Sequence, residues 1–160
     1  MTVRILSQRE VTSLLPMGEC IIVMDAVLRT LSSGGATLPL RTMLKVPEAR
    51  GIFGLMPAHL AAPEALGLKA ISVFPGNDGT PLDSHQGLVL LFDPRTGAPI
   101  AIMDASSITA IRTAAVSGVA TRALAREDAG DLAILGSGVQ ARTHLQAMAE
   151  VRQLRRVRAW

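Results

Sequence analysis

The segment Asp131–Ala141 constrains the fold more than any other part of the chain. Its sequence, DLAILGSGVQA, begins with an apolar run at Leu132–Leu135 that is typical of a strand buried on both faces. Gly136–Ala141 follows directly and fits the G-x-G-x-x-A form of the dinucleotide fingerprint. The first glycine of that motif allows a tight strand-to-helix turn, and the second lets backbone N–H groups approach a pyrophosphate. A dinucleotide-binding βαβ unit is therefore predicted here, and a purely structural βαβ turn is the alternative.

The residues that follow the glycines favour the same unit. Ala141, Leu145 and Met148 recur at helical spacing, which predicts an apolar helix face that packs on the sheet. Leu154–Trp160 is predicted to be the next parallel strand. A dinucleotide domain needs further strands to cover its sheet, and the sequence ends at Trp160. We therefore expect this chain to be a fragment or a truncated form of a longer protein.

The preceding residues mix helix and strand patterns. Ser7 and Glu10 form a capping box before a short helix that ends near Pro16, and a second helix is predicted over Met17–Leu31. Five strands are then predicted, at Leu40–Val46, Gly51–Met56, Leu66–Phe74, Gly87–Phe92 and Ala98–Met103. A long helix is predicted to follow them at Ser107–Arg126. The predicted fold is α/β, with a mixed α+β region at 1–126 followed by the start of a Rossmann-type dinucleotide-binding domain at 127–160.

Composition excludes several classes of function. The chain has a sequence pI near 10.0 but a net charge of only +3, and it contains no Tyr, so it lacks the basic, aromatic surface that binds nucleic acid. Its single cysteine, Cys20, excludes an internal disulfide and fits a reducing compartment. No signal peptide or membrane-spanning run is present, which predicts a cytoplasmic protein without a membrane partner. No His, Cys or carboxylate spacing indicates a metal site.

Three cations stand in unexpected sequence contexts. Arg41 and Lys69 lie inside strand-like segments among apolar neighbours, where a buried cation needs an anion such as a bound carboxylate. Outward-facing positions on alternating strands are the other interpretation. Arg112 lies near the start of a predicted helix, where a cation is unfavourable unless phosphate or carboxylate is close. A surface salt bridge is the alternative for Arg112.

The histidines and the cysteine give weaker signals. His85 lies between a loop and a buried strand, and it is predicted either to contact a ligand or to serve as a structural residue. His144 follows the glycines on the same helix and is interpreted as a helix-surface or packing residue. Cys20 adjoins an apolar helical pattern and is predicted to lie in the core.

Taken together, several segments resemble the ornithine cyclodeaminase/mu-crystallin family. They occur in family order and read LPLRTMLKVP, GIFGLMPAH, GLKAISVFPGN, the long stretch from PLDSHQGLVLLFDPRTG through ITAIRTAAVSGVATRALA, and ILGSGVQARTHLQA. The match runs from about Leu38 to the end of the chain and is more specific than the fingerprint alone. Family members are considerably longer, which agrees with the expected truncation.

The resemblance implies a homodimer built through the mixed N-terminal region, a substrate site in that region, and NAD or NADP as cofactor. By this resemblance the carboxylate of an amino or imino acid is held by Arg41 and Lys69, with Lys69 also a catalytic residue in proton transfer. Met56 lines the substrate pocket, and Arg112 contacts both substrate and cofactor. The remaining implied cofactor residues are Ser84, His85, Thr113, Gly136, Gly138, Val139 and Gln140.

Two departures bear on the activity that the resemblance implies. The family's catalytic aspartate falls beyond Trp160, and the ornithine-cyclising members carry Glu at the position of Gly54. The expected activity is therefore hydride transfer at Cα of a small α-amino or imino acid, as in a ketimine reductase or amino-acid dehydrogenase, with ornithine cyclisation less well supported. One alternative is a crystallin-like protein that binds nucleotide and a small carboxylate without turnover, and another is that these residues act alone as a dimerisation module without activity. The choice between NAD and NADP depends on a residue about 20 positions past the glycines, where the chain ends.

Overall fold

The structure is a computed structural model that describes residues 2–160, and its packing divides into two units. The first unit runs to Val11 and resumes over Arg29–Ser107, while the second comprises Thr12–Leu28 and Ile108–Trp160. The long helix predicted before residue 126 therefore packs, from Ile108 onward, with the glycine segment. The division of the dinucleotide domain after residue 126 stays a prediction.

A seven-stranded mixed sheet dominates the first unit, in the order β1-β7-β6-β5-β4-β2, with β3 also pairing β4. The strands are β1 (Arg4–Leu6), β2 (Ala36–Thr37), β3 (Thr42–Val46), β4 (Gly51–Ala61), β5 (Glu64–Val73), β6 (His85–Phe92) and β7 (Pro99–Asp104). Only β1 and β7 are parallel within this sheet, and the remaining pairs are antiparallel. The α/β class predicted from the sequence is confirmed.

Local turn and cap chemistry in this unit follows the sequence closely. The Ser7 hydroxyl and backbone N–H both donate to Glu10 Oε2, at 2.6 and 2.8 Å, which confirms the capping box. These hydrogen bonds lower the pKa of the Glu10 carboxyl. In the β6–β7 hairpin, Asp93 Oδ1 accepts from the N–H groups of Arg95 and Thr96, each at 2.9 Å, and Gly97 takes a positive φ of 71°. Short-range hydrogen bonds thus determine both features.

Several strand boundaries differ from prediction, among them the starts of β5 and β6, which lie two residues earlier, and two further differences concern β3 and β4. β3 begins at Thr42, so Arg41 lies just before the strand rather than inside it, which corrects the sequence interpretation. β4 continues beyond Met56 to Ala61, through a proline. Pro57 lies between the β4 residues that pair with β3 and those that pair with β2. Neither β3 nor β2 pairs with β4 at Pro57, so neither strand loses a hydrogen bond to the N–H that proline lacks.

The second unit is built from helices and a two-stranded parallel sheet of β8 (Asp131–Ile134) and β9 (Arg156–Ala159). Its helices are the end of α1 (Gln8–Leu14), most of α2 (Met17–Ser32) and α3 (Ala105–Leu124), and α4 (Val139–Val151). The buried core consists of Cys20, Ile21, Ile111, Ala114, Ala115, Ala147 and Met148. The predicted core position of Cys20 and the predicted parallel strand near the C-terminus are both confirmed.

Within residues 2–160 no single helix is long and apolar enough to span a membrane, and α1 with α2 passes that test only as a pair bent by 80°.

Two expectations about the glycine segment are wrong. Leu135 is 88% exposed, because in the described residues helices cover only the face of β8 that carries Leu132 and Ile134. Leu145 is 37% exposed, and α4 instead buries Ala147 and Met148. The buried face of α4 therefore differs from the predicted one, because α4 packs against α3 as well as against the sheet.

Arg152, directly after α4, closes the C-terminal end of α3. Its guanidinium donates to the carbonyl oxygens of Thr121 and Ala125 at 2.8 and 2.7 Å, and its Nε donates to that of Arg126 at 3.0 Å. A cation at this end also complements the helix dipole. Arg152 therefore links the C-terminal end of α4 to the C-terminal end of α3 by hydrogen bonds.

One face of the seven-stranded sheet is apolar yet exposed. By strand alternation and register, five exposed side chains from five strands point to this face, which we call the apolar sheet face: Ile5, Leu44, Phe53, Leu88 and Ile100. An antiparallel sheet that faces water normally alternates to polar residues on that side. A contiguous apolar face of this kind indicates an interaction surface.

Candidate functional site

The sequence-predicted residues divide between the two units. Arg41, Met56, Lys69, Ser84 and His85 belong to the first unit. The second unit holds Arg112, Thr113, Gly136, Gly138, Val139 and Gln140. Each group is described within its own unit.

Sheet register pairs Met56 with Lys69, and Arg41 directly precedes the strand that pairs with the neighbouring part of β4. Met56 on β4 is the direct partner of Lys69 on β5, and Thr42 on β3 is the partner of Leu55. Arg41 directly precedes β3, and the register continued by one position would bring it to Met56. Side chains at directly opposed positions lie about 4.5–5.5 Å apart at Cβ and point to the same face. These three residues form what we call the strand cluster.

The strand cluster lies on the face opposite the apolar sheet face. Lys69 shares its side of β5 with the buried Ile71. Both Lys69 and Met56 are half-buried, whereas Arg41 is exposed. The placement of Lys69 beside a buried residue argues against the interpretation of an outward-facing lysine. An ammonium and a guanidinium at neighbouring positions form a site suited to a carboxylate.

Ser84 and His85 lie farther along the same sheet. His85 pairs with Val73, four positions along β5 from Lys69, which corresponds to about 13 Å along a strand. It is half-buried and belongs to the same face as the strand cluster. The Ser106 hydroxyl donates to its carbonyl at 3.2 Å, and Phe74 N–H donates to the Ser84 carbonyl at 2.8 Å. These two residues are therefore not adjacent to Arg41, Met56 and Lys69.

The glycine turn of the second unit has the geometry of an anion site at a helix start. Gly136 takes a φ of +105°, which side chains of L-residues rarely allow, and its N–H donates to the Trp160 carbonyl at 2.6 Å. Gly138 is the N-cap of α4 and makes no side-chain cap, and Val139 and Gln140 are exposed in the first turn. The first N–H groups of a helix lack intrahelical acceptors and favour anions. A Cβ on Gly138 would meet no atom within 4 Å, so open space lies in front of these groups.

Arg112 and Thr113 lie on the N-terminal half of α3. The Thr113 hydroxyl donates to the Thr109 carbonyl at 2.6 Å. Burial raises the pKa of the Cys20 thiol, and the positive charge of Arg112 opposes that rise, which places Arg112 near Cys20 on α2. The Thr109 hydroxyl oxygen is buried and has no hydrogen-bond partner among residues 2–160. This part of α3 therefore combines the Arg112 cation with a buried Thr109 hydroxyl that has no hydrogen-bond partner among residues 2–160.

A row of contacts that was not predicted from the sequence joins α3 to α4. The Ser117 hydroxyl lies 3.0 Å from His144 Nε2, and the Thr121 hydroxyl lies 3.3 Å from Met148 Sδ. His144 Nδ1 also lies 2.7 Å from the Gln140 carbonyl. His144 was interpreted as a surface or packing residue, but its ring bridges two helices. Hydroxyl residues at every fourth position of α3 are the signal that predicts such a row.

An open pocket of about 450 Å³ runs along this row. Its lining consists of Ser117, Thr121, Leu132, Ala133, Ile134, Leu135, Gln140, Ala141, His144 and Met148. Gln140 is the only predicted cofactor residue among them, so the pocket adjoins the glycine turn without containing it. No group of His, Cys, Asp or Glu within residues 2–160 is arranged to hold a metal ion.

Comparison with known proteins decides the family. The model of the ornithine cyclodeaminase/mu-crystallin family matches residues 1–160, the whole sequence. This chain belongs to that family. Mouse ketimine reductase mu-crystallin is 43% identical to it over 140 residues, which are 86% of this chain and 45% of the mouse protein. The chain thus spans about half the length of the curated family members it matches.

Solved structures of the family share the fold. The Thermococcus litoralis Delta(1)-pyrroline-2-carboxylate reductase, in complex with NADH and L-proline, has a TM-score of 0.92 and 41% identity, with 98% of this chain and 49% of that chain covered. An archaeal alanine dehydrogenase dimer with bound NAD also has a TM-score of 0.92, with 35% identity and 99% and 48% coverage. The resemblance inferred from the sequence is therefore confirmed, as is the start of a Rossmann-type domain.

Proposed function

We propose that this protein is an NAD- or NADP-dependent oxidoreductase that interconverts a small α-amino acid and its imino acid by hydride transfer at Cα. The observation that carries the proposal is the strand cluster, in which Met56 and Lys69 are paired in the sheet and Arg41 directly precedes β3. Such a cluster is suited to a small molecule that carries a carboxylate. The family members compared above act on imino and amino acids of this kind, by their names.

Within the strand cluster the two cations have distinct roles in this proposal. The Arg41 guanidinium presents a rigid fork of N–H donors that matches both oxygens of a carboxylate. The Lys69 ammonium neutralises the same anion and can pass a proton to the imine nitrogen. Met56 supplies an apolar wall between them. The cations hold the substrate in one orientation, which lowers the entropic cost of the reaction.

The glycine turn is proposed to hold the pyrophosphate of the cofactor. The open space in front of Gly138 and the start of α4 fit an anionic group, and the Thermococcus and archaeal structures contain NADH and NAD. When bound, the nicotinamide supplies or accepts the hydride. Arg112, Thr113, Val139 and Gln140 are proposed to contact the cofactor in the second unit, and Ser84 and His85 in the first.

Gly54 supports a reductase or dehydrogenase over a cyclodeaminase. It is buried on the same face of the sheet as the strand cluster, two positions from Met56. A Cβ at Gly54 would lie 3.0 Å from Met43 Sδ and 3.4 Å from Ile71 Cγ1. The longer glutamate of the ornithine-cyclising members does not fit here unless these neighbours move. Reduction of an imine needs no such carboxylate.

A turnover assay tests the proposed function. Pyrroline-2-carboxylate and other cyclic ketimines are offered with NADH or NADPH, and we expect the absorbance of the reduced nicotinamide to fall with at least one pair. Amino acids are offered with NAD and NADP in the reverse direction. If the full-length protein binds reduced nicotinamide but no substrate oxidises it, the proposal is wrong and a nucleotide-binding protein without turnover is the better account.

We also propose that the protein is a homodimer and that the apolar sheet face is its interface. That face exposes Ile5, Leu44, Phe53, Leu88 and Ile100 from five different strands. A second copy would cover the face with the same residues, as a two-fold interface requires. The archaeal alanine dehydrogenase, which shares this fold, is described as a dimer.

Replacing Leu88 by Glu should convert the dimer to a monomer. Leu88 lies on β6 near the middle of the sheet, and a buried, unpaired carboxylate at the interface is strongly unfavourable. Light scattering should give twice the 16.8 kDa chain mass for the wild type and the single mass for Leu88→Glu. Leu124→Glu is the control, since Leu124 is 85% exposed at the end of α3 and should leave the dimer intact. A wild-type chain that is monomeric at high micromolar concentration contradicts the proposal.

A further inference from the structure

The contacts between α3 and α4 have a regular spacing. Ser117 pairs with His144 and Thr121 pairs with Met148, and both pairs are 27 residues apart in the sequence. Each partner advances by four residues on its own helix, so the two helices run in the same direction and in register here. Thr113 and Gln140 lie one turn nearer the N-termini of the two helices, at the same separation of 27 residues. Both of these residues are proposed above to contact the cofactor.

The ring of His144 is held at both nitrogens. A carbonyl oxygen can only accept, so Nδ1 carries the hydrogen that is donated to the Gln140 carbonyl at 2.7 Å. With the hydrogen on Nδ1, Nε2 can accept from the Ser117 hydroxyl, which lies 3.0 Å away. The ring therefore links the first turn of α4 directly to α3. Its contact on α4 is Gln140 itself, rather than a residue deeper in the helix.

We infer that His144 and Ser117 are positioning residues, which hold the first turn of α4 against α3 so that Gln140 and Thr113 are set in place for the cofactor. This inference rests on the proposed function. Thr121 and Met148 continue the same row one turn farther from the glycine turn, and they lack a link to Gln140. The Ser117–His144 pair thus acts on cofactor binding, whereas the Thr121–Met148 contact acts on stability alone.

Direct NADH binding to the 160-residue chain tests this inference. We expect His144→Ala and Ser117→Ala each to raise the dissociation constant for NADH by about 5- to 10-fold, because one hydrogen bond of ordinary strength is lost. Ser117→Thr retains the hydroxyl and should restore most of the affinity. Thr121→Val is the matched control on the same row, and it should leave the dissociation constant within two-fold of the wild type. Thermal unfolding of each variant without ligand, measured in parallel, verifies that it is folded.

A double-mutant cycle separates positioning from a general loss of stability. Thr113→Val should weaken NADH binding in the wild type but have a smaller effect in the His144→Ala background, since the first turn of α4, with Gln140, is then no longer held against α3. Additive effects of the two substitutions, or equal losses of affinity in Thr121→Val and Ser117→Ala, overturn the inference but do not contradict the proposed NADH site. A wild-type chain that binds neither NADH nor NADPH overturns the proposed function, and the inference with it.

Discussion

Arg41→Met should reduce the catalytic efficiency of imine reduction by about 10- to 100-fold, and Lys69→Met should reduce it by about 100-fold or more. Each substitution removes a charged hydrogen bond to the substrate carboxylate, and such a bond contributes about 1.5–3 kcal/mol. Lys69→Met also removes a proton donor, and a positioned acid contributes about 100- to 10,000-fold. We therefore expect the larger loss at Lys69, in kcat as well as in KM, while Arg41→Met acts mainly on KM. Steady-state kinetics with the ketimine identified in the turnover assay measures both.

Two controls make this prediction specific. Lys45 lies on β3 and points to the same face as Lys69, but it is exposed and does not adjoin Met56 in the sheet register. Lys45→Met should change the catalytic efficiency by less than two-fold, and so should Arg95→Met in the β6–β7 hairpin. Full turnover in both Arg41→Met and Lys69→Met would show that the strand cluster does not hold the substrate.

Gly138→Val should raise the dissociation constant for NADH by about 100-fold without lowering the melting temperature. The backbone at Gly138, with φ −74° and ψ −169°, is allowed for valine, and a Cβ there meets no protein atom within 4 Å. The side chain would instead occupy the space proposed for the pyrophosphate. Displacement of that group removes backbone hydrogen bonds to a charged oxygen, at about 1.5–3 kcal/mol each. Fluorescence titration of NADH and thermal unfolding are measured on the same variant.

Two other glycines provide the comparison. Gly76 lies in the Pro75–Asn77 turn, and a Cβ there also meets nothing within 4 Å, so Gly76→Val should leave both NADH binding and melting temperature unchanged. Gly136 has a φ of +105°, so Gly136→Ala should lower the melting temperature through backbone strain of about 1–3 kcal/mol. NADH binding that is unaffected by Gly138→Val would contradict a pyrophosphate site at this turn.

Local sequence patterns accounted for most of the elements. The capping box of Ser7 and Glu10, the Asp93–Gly97 hairpin turn and the βαβ unit around Gly136 each depend on residues close together in the chain. Short-range hydrogen bonds and backbone conformations set such features, so sequence spacing suffices to predict them. The exposed side of β8 and the rotated face of α4 were not predicted, because they depend on which distant helices pack against them.

The candidate site shows the same division. The residue types of Arg41, Lys69 and Gly138 were evident in the sequence, together with the family resemblance that suggested their roles. Their arrangement was not, since it depends on the register that pairs Met56 with Lys69 and on β3 beginning directly after Arg41. His144 was interpreted as a helix-surface or packing residue, but its partner was not predicted. Ser117 is 27 residues away, and the hydroxyl spacing of α3 alone does not identify the helix that it contacts.

The sequence by itself determined the family, the fold class and the chemical types of the residues proposed to bind an anionic substrate and a dinucleotide. Only the tertiary structure decided which of those residues are neighbours, which face of the sheet is left apolar and exposed, and which side chains link α3 to α4. The physical reason is that strand register and helix packing are set by burial and hydrogen bonds between residues far apart in the chain. Those interactions are present only once the chain has folded.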